Sequence, residues 1–382
     1  MAKKGGSAVL LLFAMFLTLE CGSASEEKPA VYVLGDSTAD VGTNNFLPGS
    51  KARADFPHNG IDFPHSRATG RFSNGLNSAD FLAKLLGHMR SPPPFLSLNS
   101  TNALKRHSLN GINFASGGSG LLDTTGVTGA SNEKIRNVIT LGEQIKQFST
   151  VRDTLTAVMG PTETRNFLAK SLFFISIGSN DILLYYHSNS TVPKQDFIAT
   201  LGSSYENHLK VAILFKFYLL EDSFKYNLLG LGATKFGIIS VPPIGCCPSQ
   251  RVLSGTGECL EVLNELALAF HSELGAVLKK LSSEYESMKY SLGNAYDMAM
   301  DVIENPLPYF EDVKSACCGS GTLNAEGICD PKARLCLKRH EYLFWDLYHA
   351  THTASKLAAV TLYTGGPRYV TPMNFSQLAS AC

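Results

Sequence analysis

The stretch Ala30-Val-Tyr-Val-Leu34, followed directly by Gly35-Asp36-Ser37, decides the fold of this chain. A short, continuous apolar run that ends at glycine is typical of a strand buried on both faces, with its carboxyl end opening into a loop. Two later runs, Leu172 to Ile177 and Phe236 to Val241, have the same form and again stop at glycine or proline. Three such runs predict the centre of a parallel sheet.

Helical patterns separate these runs, which indicates an α/β protein. The predicted helices span Ser78 to Leu86, Leu141 to Val158, Phe197 to Leu229, Leu260 to Tyr285 and Glu341 to Leu362, and a further strand is predicted over Lys289 to Tyr296. Strands that alternate with helices predict a mainly parallel central sheet covered by helices on both faces. The segments 42–77 and 92–110 are rich in Pro, Gly, Ser and Asn and are predicted to be substrate-facing loops.

The N-terminus has the three-part order of a secretory signal peptide. Lys3 and Lys4 precede an apolar stretch from Ala8 to Leu19, and small residues fill positions 21–25. The alternative is a membrane anchor, but about 12 apolar residues fall short of the roughly 20 that a spanning helix needs. We therefore expect residues 1–25 to be a cleaved signal, and residues 26–382, in which no linker or repeat is visible, to form a single secreted domain without a membrane span.

Cysteine usage agrees with an oxidising compartment. Removing Cys21 with the signal leaves eight of the nine cysteines, all in the C-terminal half. An even number in a secreted chain predicts disulfides, and Cys246 or Cys247 with Cys259 is the nearest candidate pair in sequence, whereas the C-x-x-C spacing of a zinc site is missing. Candidate N-glycosylation sequons begin at Asn99, Asn189 and Asn374.

Composition and motifs argue against several function classes. The chain carries 33 Lys and Arg against 33 Asp and Glu, so no net field concentrates nucleic acid or an anionic membrane surface. Gly117-Gly-Ser-Gly120 is rich in glycine, but no Gly-Lys-Ser/Thr follows it, and a nucleotide site is not predicted. The carboxylates Asp55, Asp62, Asp80 and Asp181 show no pairing of the kind that glycosidases use.

Polar residues follow two of the predicted strands at their carboxyl ends, Ser37 after one and Asn180 after the other. In an open parallel sheet ligands bind at this edge, because loops and helix N-termini there present polar groups without breaking the core. A serine in a turn after a strand has an exposed hydroxyl, as a nucleophile requires. On its own, Gly35-Asp36-Ser37 is better interpreted as a simple turn, so the accompanying residues decide its meaning.

Four blocks occur in order along the chain, and others lie between them. The four are GDSTADVGTNN (35–45), GINFASGGSG (111–120), GSND (178–181) and DLYH (346–349). Together they resemble the four sequence blocks of the plant-type GDSL esterase/lipases, a branch of the SGNH hydrolases. The resemblance continues in GRFSNG (70–75), PPIGC (242–246), ACCGSG (316–321) and FWD (344–346). It spans nearly the whole mature chain and implies a flavodoxin-like, three-layer SGNH-hydrolase fold.

The resemblance implies a role for each matching catalytic position. Ser37 would attack an ester carbonyl, His349 would take the proton of the serine, and Asp346 would hold the imidazole. These residue types suit the chemistry, because a serine hydroxyl is a poor nucleophile until a base accepts its proton. Histidine, with a free pKa of about 6.5, can take and return a proton near neutrality.

The resemblance also implies an oxyanion hole. It would consist of the backbone N–H groups of Ser37 and Gly117 and the side-chain amide of Asn180. Gly118 lies beside Gly117, and the sequence leaves open which of the two N–H groups faces the site. A fixed donor of this kind contributes roughly 3 to 4 kcal/mol of transition-state stabilisation in comparable holes.

Asp346 and His349 lie three residues apart at the predicted start of the last helix, which can place carboxylate and imidazole side by side. Taken alone, this is an ordinary helix N-terminus. The family usually follows its histidine with Pro-Thr-Glu, whereas this chain has Ala350-Thr-His-Thr353, which leaves the loop geometry open. The change also places His352 three residues after His349 and raises a metal site as an alternative, although such a pair more often lies on a solvated or packed helix face.

The sequence therefore predicts a secreted carboxylic-ester hydrolase that forms an acyl enzyme and needs no metal or organic cofactor. Two alternatives remain: an apoplastic acyltransferase that passes the same acyl group to an alcohol, and a catalytically silent binding protein on the same scaffold. The partner is a small-molecule or polymeric ester, and lipid, acetylated polysaccharide, polyester and phenolic ester all remain open because loops set the pocket. Disulfide connectivity and oligomeric state are not predicted.

Overall fold

A five-stranded sheet forms the centre of the fold, seen in a computed structural model that describes residues 28–126, 137–210 and 227–381. The strands in chain order are β1 (Val31–Gly35), β2 (Leu172–Ser176), β3 (Lys235–Ile239), β4 (Lys289–Gly293), β5 (Asp312–Ala316), β6 (Cys318–Gly319), β7 (Arg334–Leu335), β8 (Tyr342–Phe344) and β9 (Val370–Thr371). The sheet has the order β1-β2-β3-β4-β9, in which the first four strands are parallel and β9 is antiparallel. Two small two-stranded sheets pair β5 with β8 and β6 with β7.

Helices cover both faces of this sheet. They are α1 (Ser78–Leu85), α2 (Thr101–Ser108), α3 (Leu141–Met159), α4 (Pro161–Lys170), α5 (Ser179–His187), α6 (Lys194–Leu209), α7 (Pro248–Leu253), α8 (Glu261–Glu284), α9 (Ala295–Glu304), α10 (His352–Thr364) and α11 (Phe375–Ser380). Local chemistry fixes several starts: the Asn77 and Thr140 side chains cap α1 and α3, and the acidic residue three positions later completes a capping box in each.

The strands alternate between two buried faces, as expected for side chains with a period of two. Tyr32 and Phe173 point into a core cluster that contains Phe148 of α3 and Phe270 of α8. The neighbouring residues of β1 and β2 join a second cluster with Leu82 of α1, Leu362 of α10 and Phe375 of α11. The chain thus has the three-layer α/β architecture, with a mainly parallel sheet, that the sequence predicts.

The predicted elements agree with these bounds to within about two residues except in four places. The predicted strand Lys289 to Tyr296 ends at Gly293, and Ala295 and Tyr296 belong to α9. The predicted helix over Glu341 to Leu362 is wrong in its first half, because Tyr342–Phe344 pairs with β5 and the helix begins only at His352. The predicted loop 92–110 contains α2, whose N-cap is Ser100. The predicted helix Phe197 to Leu229 ends at Leu209 within α6, and its segment 211–226 lies outside the described residues.

Among the cysteines that the structure describes, three disulfides confirm the expectation from cysteine usage. They join Cys246 to Cys259, Cys317 to Cys336 and Cys318 to Cys329. The last two surround the buried Trp345, whose indole N–H donates to Asn59 Oδ1 at 2.9 Å. This cross-linked cluster lies directly before Asp346 in the sequence and so fixes the backbone from which the Asp346 side chain projects.

In the described ranges, no helix combines the length with the apolar character needed to cross a bilayer. The predicted signal, residues 1–25, lies outside those ranges, as does Cys382.

Candidate active site

Ser37 lies immediately after β1, in a turn that holds its side chain half-buried at the carboxyl edge of the sheet. Gly35 makes the approach to this turn possible: its φ is +148°, and a Cβ there would lie 2.2 Å from the carbonyl oxygen of Ser176. Asp36 Oδ1 then accepts the backbone N–H of Thr38 at 2.9 Å and its hydroxyl at 2.8 Å. These local bonds form a turn that leaves the Ser37 hydroxyl directed away from the core.

Asp346 and His349 lie in a second turn, between β8 and α10. Asp346 Oδ1 accepts the backbone N–H groups of Tyr348 and His349 at 2.9 and 2.8 Å. The same carboxylate lies 2.8 Å from His349 Nδ1 through each of its oxygens. The pair is thus a turn motif that precedes the helix, and it is not at a helix N-terminus as the sequence suggested, because Thr351 caps α10 further along the chain.

The imidazole of His349 bridges the two turns. Its Nε2 lies 2.8 Å from Ser37 Oγ. A carboxylate only accepts hydrogen bonds, so Nδ1 carries the proton that it donates to Asp346, and in the neutral ring Nε2 is then free to accept the Ser37 O–H. The structure therefore brings together all three predicted catalytic residues in one continuous hydrogen-bonded chain.

The environment shifts both ionisable members of this chain. Burial opposes the charged imidazole, but the negative charge and hydrogen bond of Asp346, together with the charge of Asp36, raise the pKa of His349 above its usual value. Burial likewise opposes ionisation of Asp346, yet its interactions with His349 and with two backbone N–H groups hold the pKa of Asp346 below its usual value. Asp346 is accordingly ionised at neutral pH and stabilises a protonated His349.

His352, the third residue of the metal alternative, belongs to a different contact. Its Nδ1 accepts the backbone N–H of Leu76 at 2.9 Å, and its ring packs edge-on against Phe81. Asn74 Oδ1 accepts the backbone N–H of His352 at 2.8 Å. His352 therefore joins α10 to the loop before α1, and the described residues include no group of three His, Cys, Asp or Glu placed to hold a metal ion.

That loop carries a site residue to which the sequence analysis gave no role. Phe72, within GRFSNG, packs its ring against the imidazole of His349 with centroids 4.9 Å apart and an interplanar angle of 33°. The motif was visible in the sequence, but nothing in it showed that an aromatic ring would lie on the imidazole. Cys247, which the sequence offered only as a candidate disulfide partner of Cys259, is a second residue at the site: it is buried, its Sγ lies 3.6 Å from the carbonyl oxygen of Tyr348, and burial raises the pKa of its thiol to about 12.

Asn180 lies in the first turn of α5, where the helix dipole favours negative charge. One N–H of its amide donates to the carbonyl oxygen of Ser119 at 2.9 Å, which fixes the amide plane and leaves the second N–H for another acceptor. The neighbouring Asp181 accepts the N–H groups of Leu121 and Leu122 and the hydroxyl of Thr125. Asp181 thus holds the block 119–125 against α5 while Asn180 faces the site.

The two glycines that the sequence left open differ in their hydrogen bonds. The Gly117 N–H donates to Asp40 Oδ2 at 2.9 Å, and the carboxylate of Asp40 also accepts the N–H groups of Gly42 and Thr43. The Gly118 N–H has no acceptor among the described residues, and Gly118 lines the same cavity as Ser37 and Asn180. The geometry therefore favours Gly118 over Gly117 as a donor to a ligand.

Two cavities meet at Ser37 and His349. The first, of about 650 Å³, extends from these residues between the carboxyl ends of the central strands and the helices α9 and α10. We call it the apolar cavity. The second, of about 570 Å³, contains Gly118 and Asn180 and has Lys51, Arg53 and His187 in its lining; we call it the oxyanion-side cavity. Phe72 borders both, so an ester held at Ser37 can extend in either direction.

Comparisons with known proteins show the family to which the chain belongs. The profile of the family described as GDSL-like Lipase/Acylhydrolase matches residues 31–361. A GDSL esterase/lipase of Arabidopsis thaliana is 36% identical over 97% of this chain and 95% of its own length. A second from the same plant is 34% identical over 94% of both chains, and a third is 33% identical over 97% of this chain and 98% of its own. The chain therefore belongs to the GDSL-like lipase/acylhydrolase family and is an ester-hydrolysing serine hydrolase.

Proposed function

We propose that this protein is a secreted carboxylic-ester hydrolase in which Ser37 is the nucleophile, His349 the general base and Asp346 the residue that orients the base. The observation that carries the proposal is the chain of contacts from Ser37 Oγ to His349 Nε2 and from His349 Nδ1 to Asp346, each of 2.8 Å. Both distances lie within the range over which a proton is transferred directly.

The catalytic cycle follows from these contacts. Ser37 Oγ attacks the ester carbonyl carbon while its proton passes to His349 Nε2, and the carbonyl oxygen takes the negative charge. When the tetrahedral species collapses, the bond to the alcohol oxygen breaks and His349 gives the proton to that oxygen. Water then repeats the sequence on the acyl enzyme: it loses a proton to His349 and attacks the acyl carbon, and when the second tetrahedral species collapses the bond to Ser37 Oγ breaks, His349 returns the proton to that oxygen and the acid is released. Asp346 stays ionised throughout and stabilises the imidazolium.

We assign the oxyanion hole to the N–H groups of Ser37 and Gly118 and the free N–H of the Asn180 amide. Gly117, which the sequence favoured, supports the hole indirectly, because its N–H is donated to Asp40. Asn180 and Gly118 border the same cavity, and both belong to segments held by internal hydrogen bonds. Donors fixed before the reaction stabilise the developing oxyanion without the cost of reorganisation.

The proposed compartment rests on the sequence and on the disulfides. We expect residues 1–25 to be removed on secretion and residues 26–382 to form one catalytic domain. Asn99 and Asn189 are exposed and suited to carry glycans. Asn374 is half-buried and its amide caps α11 and contacts Gly365, so it is a poorer acceptor. Mass spectrometry of protein from a eukaryotic secretory host should find an N-terminus near Ser25 or Glu26; a retained segment from Met1 to Leu19 would contradict secretion.

Trapping the acyl enzyme tests the proposed mechanism. The protein is mixed with a p-nitrophenyl ester, quenched in acid within the first turnovers and digested with a protease. The mass of the peptide containing Ser37 is then measured by mass spectrometry. We expect that peptide to carry the acyl group. Ser37→Ala should release no burst of p-nitrophenol and carry no acyl group anywhere. Acylation of another residue, or full hydrolysis by Ser37→Ala, would overturn the assignment.

The same experiment decides between hydrolysis and acyl transfer. The acyl enzyme is partitioned between water and an added alcohol, such as glycerol, and the products are quantified. A hydrolase yields mainly free acid at millimolar acceptor, whereas an acyltransferase yields mainly the new ester. We expect free acid, because Lys51, Arg53 and His187 in the lining of the oxyanion-side cavity are polar groups that bind water.

A further inference from the structure

We infer that the apolar cavity between α9 and α10 binds the acyl chain of the substrate, so that the enzyme acts on esters of unbranched, medium-to-long aliphatic acids. The inference rests on the function proposed above, since it places the acyl part of the ester that Ser37 attacks. It also names Ala299 of α9 and Ala358 of α10 as the residues that set the accepted chain length. The cavity, of about 650 Å³, has the size of a ligand site and is continuous with Ser37 and His349.

Alanines facing one another keep this cavity open. Ala295 and Ala299 line it from α9, and Ala354 and Ala358 line it from α10. These spacings of four place each pair on one helix face. Because alanine ends at Cβ, the two faces leave between them space that longer side chains would fill.

Helix α9 shows that the space is not an ordinary core. Its apolar residues lie on one face, as in a helix that packs onto a core, yet none of its ten residues is buried. Met298 and Val302 keep part of their surface exposed to the cavity. An apolar helix face that stays open to a cavity beside the catalytic serine favours an apolar ligand, since such a ligand removes that surface from water.

The charged groups of the apolar cavity do not select a charged ligand. Apart from His349, the charged side chains that border it among the described residues are Asp301 and Arg368, and these form an ion pair with each other. The phenol of Tyr369 also contacts Asp301. Near the same end, Leu307 and Tyr309 are 73% and 55% exposed, which gives the cavity an apolar rim for a chain to enter.

The chemistry of the cycle favours the acyl part over the alcohol part as the occupant. The alcohol must leave and water must reach the acyl carbon while the acyl group is still bound. The oxyanion-side cavity, with Lys51, Arg53 and His187, offers polar groups to a leaving alcohol and an incoming water. In the described lining of the apolar cavity the charged side chains other than His349 are paired with each other and most of the surface is apolar, so the cavity can hold an aliphatic chain in place through both steps.

The test compares two series of esters. In the first, p-nitrophenyl esters of acetic, butyric, octanoic and dodecanoic acid vary the acyl part. In the second, ethyl, octyl and dodecyl acetate vary the alcohol. We expect kcat/KM in the first series to rise by up to about fourfold per methylene until the cavity is filled, because each buried methylene contributes that factor. The second series should change little.

A bulky side chain that fills the cavity should remove the rise of kcat/KM with acyl length. Ala299→Trp should lower the ratio of kcat/KM for the dodecanoate to kcat/KM for the acetate at least tenfold. Met300→Trp places the same side chain on the next residue of α9, which does not line the cavity, and serves as the control. Ala358→Trp, with the exposed Val360→Trp as its control, repeats the comparison from α10. Melting temperatures identify any variant that fails to fold.

The outcomes separate the inference from the function on which it rests. Loss of acetate hydrolysis in Ser37→Ala, combined with a chain-length gain that Ala299→Trp and Ala358→Trp remove, supports both. If Ser37→Ala is inactive but acyl length has no effect, or alcohol length has the larger effect, the acyl assignment is overturned and the serine mechanism stands. The assignment is equally overturned if both control variants lose dodecanoate activity to the same extent. Acetate hydrolysis that survives in Ser37→Ala overturns the proposed function itself.

Discussion

His349 Nε2 lies 2.8 Å from Ser37 Oγ although 312 residues separate the two in the chain. One side of this contact depends on the Gly35 turn after β1, and the other depends on the turn that Asp346 closes after β8. The contact therefore couples two local motifs that are each formed by hydrogen bonds within a few residues. The expected effect of a mutation therefore depends on whether it removes the contact between His349 and Ser37 or disrupts one of the two turns that hold these residues.

Ser37→Ala and His349→Ala should each abolish nearly all ester hydrolysis, and the double variant should be scarcely worse than either. The two residues transfer the same proton, so their contributions are strongly non-additive. Initial rates on p-nitrophenyl acetate, with active protein quantified by its melting transition, measure the effect. A double variant whose loss equals the product of the two single losses would show that the residues act separately.

The pH profile should report the raised pKa of His349. Only the neutral ring accepts the Ser37 proton, so kcat/KM should rise with pH through an inflection above the usual histidine value of about 6.5. Asp346→Asn removes the charge that raises this pKa, so the inflection should move to lower pH while kcat falls, though by less than in His349→Ala. An inflection that stays in place in Asp346→Asn would mean that another group controls the profile.

Asn180→Ala and Asp181→Ala, which alter adjacent residues, should have opposite signatures. Asn180→Ala should lower kcat by roughly 100-fold or more with KM and melting temperature little changed, because an oxyanion donor acts in the transition state. Asp181→Ala should mainly lower the melting temperature, since it frees the N–H groups of Leu121 and Leu122. A large stability loss in Asn180→Ala would make that residue structural and require another donor.

Asp36→Asn should make stability less dependent on pH. Burial raises the pKa of Asp36 to about 6, above its value in the unfolded chain, so the native state holds this proton more tightly. The contribution of Asp36 to stability is therefore fully present below the unfolded pKa and is lost as pH rises through about 6, by up to about 3 kcal/mol. Asparagine keeps the acceptor for Thr38 without the charge. Urea unfolding should show that the free energy of unfolding of the variant, relative to that of the native protein, is higher at pH 7 than at pH 4.

Chelators and His352→Ala distinguish the serine mechanism from metal-assisted hydrolysis. We expect EDTA to leave activity unchanged. His352→Ala should cost about 1 to 3 kcal/mol of stability, because the Leu76 N–H loses its acceptor, but kcat per folded molecule should change little. Activity that falls on chelation and returns with added Zn²⁺ would refute the serine assignment.

The sequence predicts local features of this structure well and features that depend on distant residues poorly. The strand ends at Leu34 and Ile177 were placed within about one residue, because a continuous apolar run that stops at glycine carries its own boundaries. Helix α2 was missed because its residues are mostly polar and only its N-cap, Ser100, marks the start. Tyr342–Phe344 was taken as helix because its pairing with β5 depends on residues about 30 positions away.

Sequence blocks are enough to propose Ser37, Asp346 and His349 as the catalytic residues, whereas the finer proposal for the oxyanion hole requires the three-dimensional structure. Gly117 and Gly118 are equivalent in the sequence, and the difference between them comes from Asp40, which lies 77 residues before Gly117 and takes its N–H. Phe72 reaches His349 in the same non-local way. Such contacts depend on how distant loops meet above the sheet, which no local pattern encodes.

In the proposed mechanism the nucleophile follows β1, and its base lies between β8 and α10. This order along the chain has a consequence for biosynthesis. A ribosome releases the segment with Ser37 early and the segment with Asp346 and His349 near the end. Until β8 pairs with β5 and β9 completes the sheet beside β4, a growing chain has a serine without a base. On the proposed mechanism, hydrolytic activity then begins only when the last elements are in place.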